Sequence, residues 1–202
     1  MAPDLNRALI DRTVATILAH ADELTTLDQA VGDGDHGINM KRGFGAVAEA
    51  ADEIAALALG PALQKMGMTL VMKVGGASGP LYGSLLMSMG KAMPAEASSR
   101  EDFVASFAEG IEAVKRRGKS DRGEKTMLDV LLPVLEAIEG AEGDVLNAAR
   151  AAADAGLEAT REMQATKGRA SFLGERSIGH LDPGARSSVL LVHAVCDVLE
   201  GR

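Results

Sequence analysis

Three aspartates near the N-terminus have the residue type and spacing of a metal-binding loop. Asp28, Asp33 and Asp35 lie five and two residues apart in the stretch LDQAVGDGDHGINM, so they do not share one face of a single helix. A loop that folds back can bring them together, and a helix beginning near His36 would offer free backbone N–H groups beside them. Three neighbouring glycines are expected to supply the unusual backbone dihedrals of this loop, namely Gly32, Gly34 and Gly37.

Converging carboxylates repel one another unless a cation neutralises them, so this loop predicts a site for a hard ion such as Mg²⁺ or Ca²⁺. The EF-hand pattern does not fit, because counting from Asp33 it needs glycine at Ile38 and glutamate at Phe44. Mg²⁺ shares its ligands with substrate phosphates, so a few carboxylates suffice where a phosphate also binds. The alternative is a solvated turn, since Asp and Gly are common turn residues.

Two further glycine-rich stretches have features of phosphate-binding loops. The stretch GGASGPLYG, residues 75–83, runs into an apolar helix, which would present N–H groups and a positive dipole end to an anion. It lacks the Gly-Lys-Ser/Thr of a Walker A loop, and close helix packing by small residues is the alternative. The stretch KGRASFLGERSIGHLDPGARSS, residues 167–188, carries arginines suited to phosphate oxygens, although a plain surface loop is also compatible with it.

The elements that must position these loops are predicted to be eight helices. Apolar residues return at three- and four-residue intervals from Leu5 to Leu24 and through seven further segments, and no segment alternates as a strand does. Pro61 and Pro80 are placed near helix starts, and Ser187 is a candidate cap of the last helix. The seven further segments are residues 43–59, 61–74, 80–93, 101–117, 126–139, 145–162 and 187–200.

Composition and charge favour an all-α protein of one domain. The 202 residues are 47% hydrophobic but only 2% aromatic, so small, helix-forming side chains must build the core. The net charge of −8 argues against general nucleic-acid binding, which needs a basic surface. The sequence shows neither a signal peptide nor a membrane span, and the lone Cys196 suits a reducing compartment, so we expect a cytoplasmic protein.

Taken together, the glycine-rich stretches resemble one family, the nucleotide-binding L subunits of bacterial dihydroxyacetone kinases. The matching segments are LDQAVGDGDHGINM, GGASGPLYG, GEKTMLDVL and KGRASFLGERSIGHLDPGARSS. The resemblance implies one nucleotide-binding domain over residues 1–202, a barrel of eight antiparallel, up-and-down amphipathic helices with the nucleotide at one end. It also implies that Asp28, Asp33 and Asp35 hold two Mg²⁺ ions that bridge the phosphates of bound ADP or ATP.

The resemblance further implies which residues line the nucleotide, and it gives none of them the role of a covalent nucleophile. They belong to the helix start after the acidic loop, to the three other matching segments and to the end of the helix before GEKTMLDVL. These residues are His36, Gly37, Ile38, Asn39, Ala77, Ser78, Gly118, Met127, Arg169, Asp182, Pro183 and Gly184.

As the resemblance implies, ADP stays bound as a coenzyme and relays phosphate from a phosphohistidine on an M subunit to dihydroxyacetone held on a K subunit. A transcription activator is a further partner that the family implies, and a homodimer is left open. Two alternatives are a subunit of an ATP-dependent kinase for another short ketose, such as a tetrulose, and a nucleotide-sensing regulatory module. The residues alone also allow a Mg²⁺-dependent phosphohydrolase, weakened by the lack of an evident nucleophile or general base.

Overall fold

The computed structural model describes residues 3–96 and 99–201, and within these ranges the regular structure is entirely helical. The all-α prediction is therefore confirmed. No helix of the described ranges is both long and apolar enough to cross a bilayer. The helices are α1 (Pro3–Ala19), α2 (Ala21–Val31), α3 (His36–Glu49), α4 (Ala51–Ala55), α5 (Leu59–Lys73), α6 (Ser78–Ala92), α7 (Arg100–Gly118), α8 (Leu128–Gly140), α9 (Val145–Ala159) and α10 (Pro183–Leu199), with 3-10 segments at Thr160–Glu162 and Arg169–Ser177.

The described chain has ten α-helices where the apolar periodicity predicts eight. The first predicted helix is interrupted at His20, which separates α1 from α2, and the second begins at His36 and is interrupted at Ala50, which separates α3 from α4. Both interrupting residues leave helical geometry, with ψ of 11° at His20 and 8° at Ala50. A break of one residue barely changes the spacing of apolar side chains, so the periodicity does not reveal it.

The helices pack in a closed order around an apolar core. The helix α1 packs on α3, α3 on α5, each helix from α5 to α10 on the next, and α10 returns to α1. The side chains between them are aliphatic or Met, with few aromatic rings, as the composition predicts. Those with no exposed surface are Ile17, Leu24, Met40, Val47, Ile54, Leu70, Leu128, Val130, Ala153 and Ala185.

Glycines let α5 and α6 approach each other almost backbone to backbone. A Cβ atom at Gly67 would stand 2.8 Å from the carbonyl oxygen of Gly83, and a Cβ at Gly83 would stand 2.8 Å from that of Gly67. Gly60 and Gly90 form a second such pair, at 2.8 and 2.3 Å. No real Cβ atom tolerates carbonyl contacts this short, so only glycine permits this crossing.

The close crossing of α5 and α6 predicts that alanine lowers the stability of the protein at Gly67 but not at Gly45, which lies away from this crossing. We expect Gly67→Ala to destabilise the protein by about 2 kcal/mol, because the methyl group must push α5 away from α6. Gly45→Ala in α3 meets no atom within 4 Å, so it should stabilise the protein by up to about 1 kcal/mol through helix propensity. Urea unfolding of both variants measures these changes. Equal stability of the two variants would contradict the packing argument.

Candidate functional site

The three aspartates of the sequence prediction form one acidic cluster, Asp28, Asp33 and Asp35. Each offers a carboxylate oxygen, and these oxygens lie within 4.8 Å of one another. Asp28 lies in the last turn of α2, and its Oδ2 accepts the backbone N–H of Asp35 at 2.8 Å and that of His36 at 3.0 Å. One buried carboxylate therefore folds the loop back and places the first residue of α3, which starts at His36 as predicted.

The glycines of this loop have different physical roles. Gly34 has a φ of +73°, a left-handed conformation that glycine adopts at little cost. The prediction of unusual dihedrals is wrong for Gly37, which lies inside α3, whereas Gly32 has a φ of −144° and a ψ of −145°, outside the helical and strand regions. These two are needed for space, because a Cβ at Gly32 would stand 2.3 Å from Oδ1 of Asp28 and one at Gly37 would stand 1.9 Å from the carbonyl oxygen of Ala21.

The donor set of the acidic cluster fits a hard divalent cation. Asp28 uses one oxygen for the two backbone N–H groups, which leaves its other oxygen for a metal, and Asp33 and Asp35 remain accessible from solvent. The only ion pair that the described residues make with the cluster joins Arg169 Nη2 to Asp33 Oδ2 at 3.0 Å. The Arg169 side chain is 68% exposed, so this contact offsets little of the repulsion among three carboxylates.

His36 links three helices beside the acidic cluster. Its Nδ1 lies 2.9 Å from the hydroxyl of Ser78 in α6, and its Nε2 lies 2.9 Å from the hydroxyl of Ser187 in α10. Burial lowers the pKa of His36, an effect that the nearby Asp28 and Asp35 oppose. The neutral ring has one donor and one acceptor nitrogen, so it can satisfy both hydroxyl groups and fix Ser78 at the edge of the site.

Tyr82 extends this network behind His36. Its hydroxyl lies 2.7 Å from that of Ser187 and 2.9 Å from that of Ser188, and burial raises the pKa of Tyr82 to about 12. Ser187 thus contacts His36 and Tyr82, so the prediction that it caps α10 is wrong. The cap is Asp182, whose Oδ2 accepts the N–H of Ala185 at 2.7 Å. The Asp-Pro pair before the apolar stripe was the local signal for this earlier start.

A polar cleft of about 480 Å³ opens beside the acidic cluster. The helices α3, α6, α8 and α10 all begin at it, so the positive dipole ends of four helices surround the space. Such an environment favours phosphate groups. Of the residues predicted for metal and nucleotide, the cleft is lined by Asp28, Asp33, Asp35, His36, Ala77, Ser78, Gly118, Met127, Arg169, Asp182, Pro183 and Gly184.

The three other predicted nucleotide residues lie behind or outside the lining of this cleft. Gly37 faces α2, and Ile38 is 60% exposed. Asn39 is buried, and its Oδ1 accepts a hydrogen bond of 2.8 Å from Arg42. Their roles toward a nucleotide stay predictions.

A second cavity, of about 400 Å³, lies among the helices and has an almost entirely apolar lining. Its walls include Leu9, Met66, Leu86, Phe103 and Leu191. It offers no cluster of charges to bind phosphate, so the polar cleft is the candidate functional site.

Sequence reasoning did not single out the residues that shape the loop between α7 and α8. Lys125 lines the cleft, and Asp129 folds the loop by accepting the N–H of Gly123 at 2.5 Å and that of Thr126 at 2.7 Å. The pattern Thr-Met-Leu-Asp at residues 126–129 resembles a capping box, and it was the available signal for Asp129. Its neighbour Lys125 carried no comparable signal.

Comparison with known proteins matches residues 30–197 to the model of the DAK2 domain. The chain is 51% identical over 174 residues to the ADP-binding subunit DhaL of a PEP-dependent dihydroxyacetone kinase from Listeria innocua, covering 85% of this chain and 84% of the relative. It is 44% identical over 179 residues to the ADP-binding subunit DhaL of the PEP-dependent dihydroxyacetone kinase from Escherichia coli, covering 85% of each chain.

A solved structure shares the fold. The crystal structure of the dihydroxyacetone kinase from C. freundii in complex with AMP-PNP and Mg²⁺ matches with a TM-score of 0.78 and 26% sequence identity. The match covers 98% of this chain but 34% of the kinase, so this chain spans about a third of that protein.

Because Gly32 lies against the carboxylate of Asp28, a side chain at residue 32 should weaken metal binding by the acidic cluster. We expect Gly32→Ala to weaken Mn²⁺ binding by roughly tenfold or more, because the methyl group displaces the Asp28 carboxylate. The matched control is Gly143→Ala, where a Cβ would meet nothing within 4 Å. Electron paramagnetic resonance measures bound Mn²⁺, and circular dichroism checks that both variants fold. Unchanged Mn²⁺ affinity in Gly32→Ala would exclude Asp28 as a ligand.

Proposed function

Because the chain belongs to the DAK2 domain family, we propose that it is the ADP-binding subunit of a dihydroxyacetone kinase and acts with other subunits of that kinase. The observation that carries this function is the acidic cluster at the mouth of a cleft surrounded by helix N-termini. This arrangement supplies what phosphoryl transfer needs, a place for a divalent cation and N–H groups for phosphate oxygens.

The finer architecture that we propose is one nucleotide-binding domain, residues 1–202, built as a barrel of eight up-and-down helices. Each interrupted pair, α1 with α2 and α3 with α4, counts as one antiparallel member of the barrel. The closed packing order from α1 back to α1 supports this arrangement. So do the helix ends at the cleft, where α3, α6, α8 and α10 begin while α2 and α7 end.

The proposed ligands of the nucleotide site divide by chemistry. Asp28, Asp33 and Asp35 would hold two Mg²⁺ ions, which when bound neutralise the charge of the nucleotide phosphates. Ser78, held by His36, and backbone N–H groups in the first turns of α3 and α6 would orient phosphate oxygens. The first turn of α3 also contains Gly37, Ile38 and Asn39, which we propose as further residues of the nucleotide site.

The remaining proposed nucleotide residues face the same cleft from other elements. Arg169 lies beside Asp33, and its planar guanidinium suits two phosphate oxygens at once. A second group of lining residues would contact the nucleoside, because the phosphates would be drawn to the Mg²⁺ ions held by the acidic cluster. It consists of Gly118, Met127, Asp182, Pro183 and Gly184.

The reaction that this site supports needs partners. Positioning and charge neutralisation suffice for phosphoryl transfer, and we assign no residue of the cleft as a covalent nucleophile. We propose that bound ADP accepts phosphate from a phosphohistidine of an M subunit and passes it to dihydroxyacetone held on a K subunit, in the cytoplasm. The relatives with this length, named as PEP-dependent kinase subunits, support the relay over direct use of free ATP.

The metal ligands predict a loss of nucleotide binding without a loss of fold. We expect Asp33→Asn and Asp35→Asn to weaken binding of ADP with Mg²⁺ by about 100-fold or more, since each removes a negative charge from the cluster. Asp22→Asn, in the exposed first turn of α2, is the matched control and should bind ADP as the wild type does. Calorimetry measures the affinities. Wild-type affinity in both cluster variants would show that the acidic loop is a solvated turn and not a metal site.

The proposed relay predicts that the chain is inactive by itself. With MgATP and dihydroxyacetone alone we expect no product, and with a K subunit about one turnover per loaded nucleotide. Sustained turnover should also require a phosphorylated M subunit, because the nucleotide is recharged in place. Product is measured by a coupled assay for dihydroxyacetone phosphate. Sustained turnover with the K subunit and free ATP would favour an ATP-dependent kinase for a short ketose instead.

A further inference from the structure

Lys125 is a buried cation in a protein whose other charged side chains are mostly exposed. Its side chain is 1% exposed, although it borders the polar cleft. Its backbone has a φ of +59°, a left-handed conformation that is unfavourable for a residue with a side chain. Burial of an ammonium group is costly unless hydrogen bonds and opposite charges compensate it, so the buried position of this group requires a physical reason.

The ammonium group of Lys125 joins two distant segments of the chain. Its Nζ donates to the carbonyl oxygen of Thr160 and to that of His180, each at 2.5 Å. Thr160 lies where α9 gives way to a 3-10 turn, and carbonyl groups at a helix end lack partners within the helix. His180 lies two residues before Asp182, the cap of α10. One cation thus holds both segments against the loop that precedes α8.

A second set of contacts connects these segments to residues 182–184, which form one wall of the cleft. The hydroxyl of Thr160 accepts the N–H of Asp182 at 3.1 Å, so Thr160 binds Lys125 through its carbonyl and Asp182 through its side chain. A Cβ at Gly184 would stand 3.8 Å from the Cβ of Met127, which shows how closely the wall approaches the loop of Lys125. Contacts that converge on one ammonium group therefore hold the start of this segment, while the carbonyl oxygen of Gly184 at its other end accepts the hydroxyl of Tyr82 at 3.2 Å.

The charged groups around Lys125 do not include the acidic cluster. Burial lowers the pKa of Lys125 and the positive charge of Arg161 adds to this shift, whereas Asp182 opposes it most strongly, followed by Asp129 and Glu162. Burial in turn raises the pKa of Asp182 to about 7, and Lys125 is the cation that opposes that change. Lys125 and Asp182 therefore stabilise each other's charged form.

We propose that Lys125 is a positioning residue of the nucleotide site, which fixes the wall formed by Asp182, Pro183 and Gly184 through the carbonyl groups of Thr160 and His180. This inference rests on the proposed function of the cleft. Lys125 does not serve the metal ions, since its ammonium group donates to the carbonyl oxygens of Thr160 and His180 and not to the acidic cluster. Its effect should accordingly appear in the binding of ADP and not in that of ligands confined to the acidic cluster.

The experiment compares two ligands on the full chain after nucleotide has been removed with EDTA. We expect Lys125→Met to bind ADP with Mg²⁺ roughly 10- to 100-fold more weakly, because charge-assisted hydrogen bonds that hold the wall are lost. Binding of Mn²⁺ alone should stay within about twofold of the wild type, since the acidic cluster is untouched. Calorimetry measures ADP binding, and electron paramagnetic resonance measures Mn²⁺ binding. Lys125→Arg, which keeps a charged donor, should recover most of the ADP affinity.

The matched control is Lys119→Met. Lys119 lies in the same loop and also has a left-handed φ, of +49°, but its side chain is exposed and does not line the cleft. It should bind both ligands as the wild type does. If Lys125→Met does not fold, Lys125→Gln, which keeps N–H donors without the charge, replaces it and should show the same selective loss.

The outcomes separate this inference from the function on which it rests. Unchanged ADP affinity in the folded Met or Gln variant overturns the role of Lys125, and so does an equal loss of ADP and Mn²⁺ binding. A wild-type chain that binds neither ligand instead overturns the proposed function. Weak ADP binding with intact Mn²⁺ binding, restored by arginine, supports the positioning role.

Discussion

The carboxylate of Asp28 is the interaction on which the candidate site depends. By accepting two consecutive N–H groups, it fixes both the end of the acidic loop and the start of α3. The same carboxylate contributes an oxygen to the acidic cluster, so the group that shapes the loop also supplies part of its charge. Gly32 and Gly37 are constrained by this geometry, the first by the carboxylate and the second by the close approach of α2 and α3.

Two polar networks fix the helix starts and the loop that border the cleft. In the first, His36, between Ser78 and Ser187, connects the starts of α3, α6 and α10. In the second, Lys125 and Asp129 fold the loop before α8 by satisfying backbone groups. Because each buried polar group in these networks has partners, the desolvation cost of placing it beneath the cleft is offset.

The packing of the helices explains why these networks meet at one end of the protein. In the up-and-down arrangement that we propose, every second helix start returns to the same end, and the starts of α3, α6, α8 and α10 border the cleft. Close approach of α5 and α6 through paired glycines keeps this arrangement compact without large aromatic side chains. The apolar cavity among the helices is separate from the cleft, so the chemistry is confined to loops and helix ends while the core supplies stability.

The sequence by itself determined the helical class and the convergence of the three aspartates, because both follow from spacing over a few residues. It also identified twelve of the residues that line the cleft, through the resemblance of four short segments to one family. It misplaced the cap of α10 at Ser187, since the first apolar position does not mark where a helix begins. Only the tertiary structure decided the breaks at His20 and Ala50 and the role of Lys125. The carbonyl groups that Lys125 binds lie 35 and 55 residues away in sequence, and no local pattern specifies contacts at that separation.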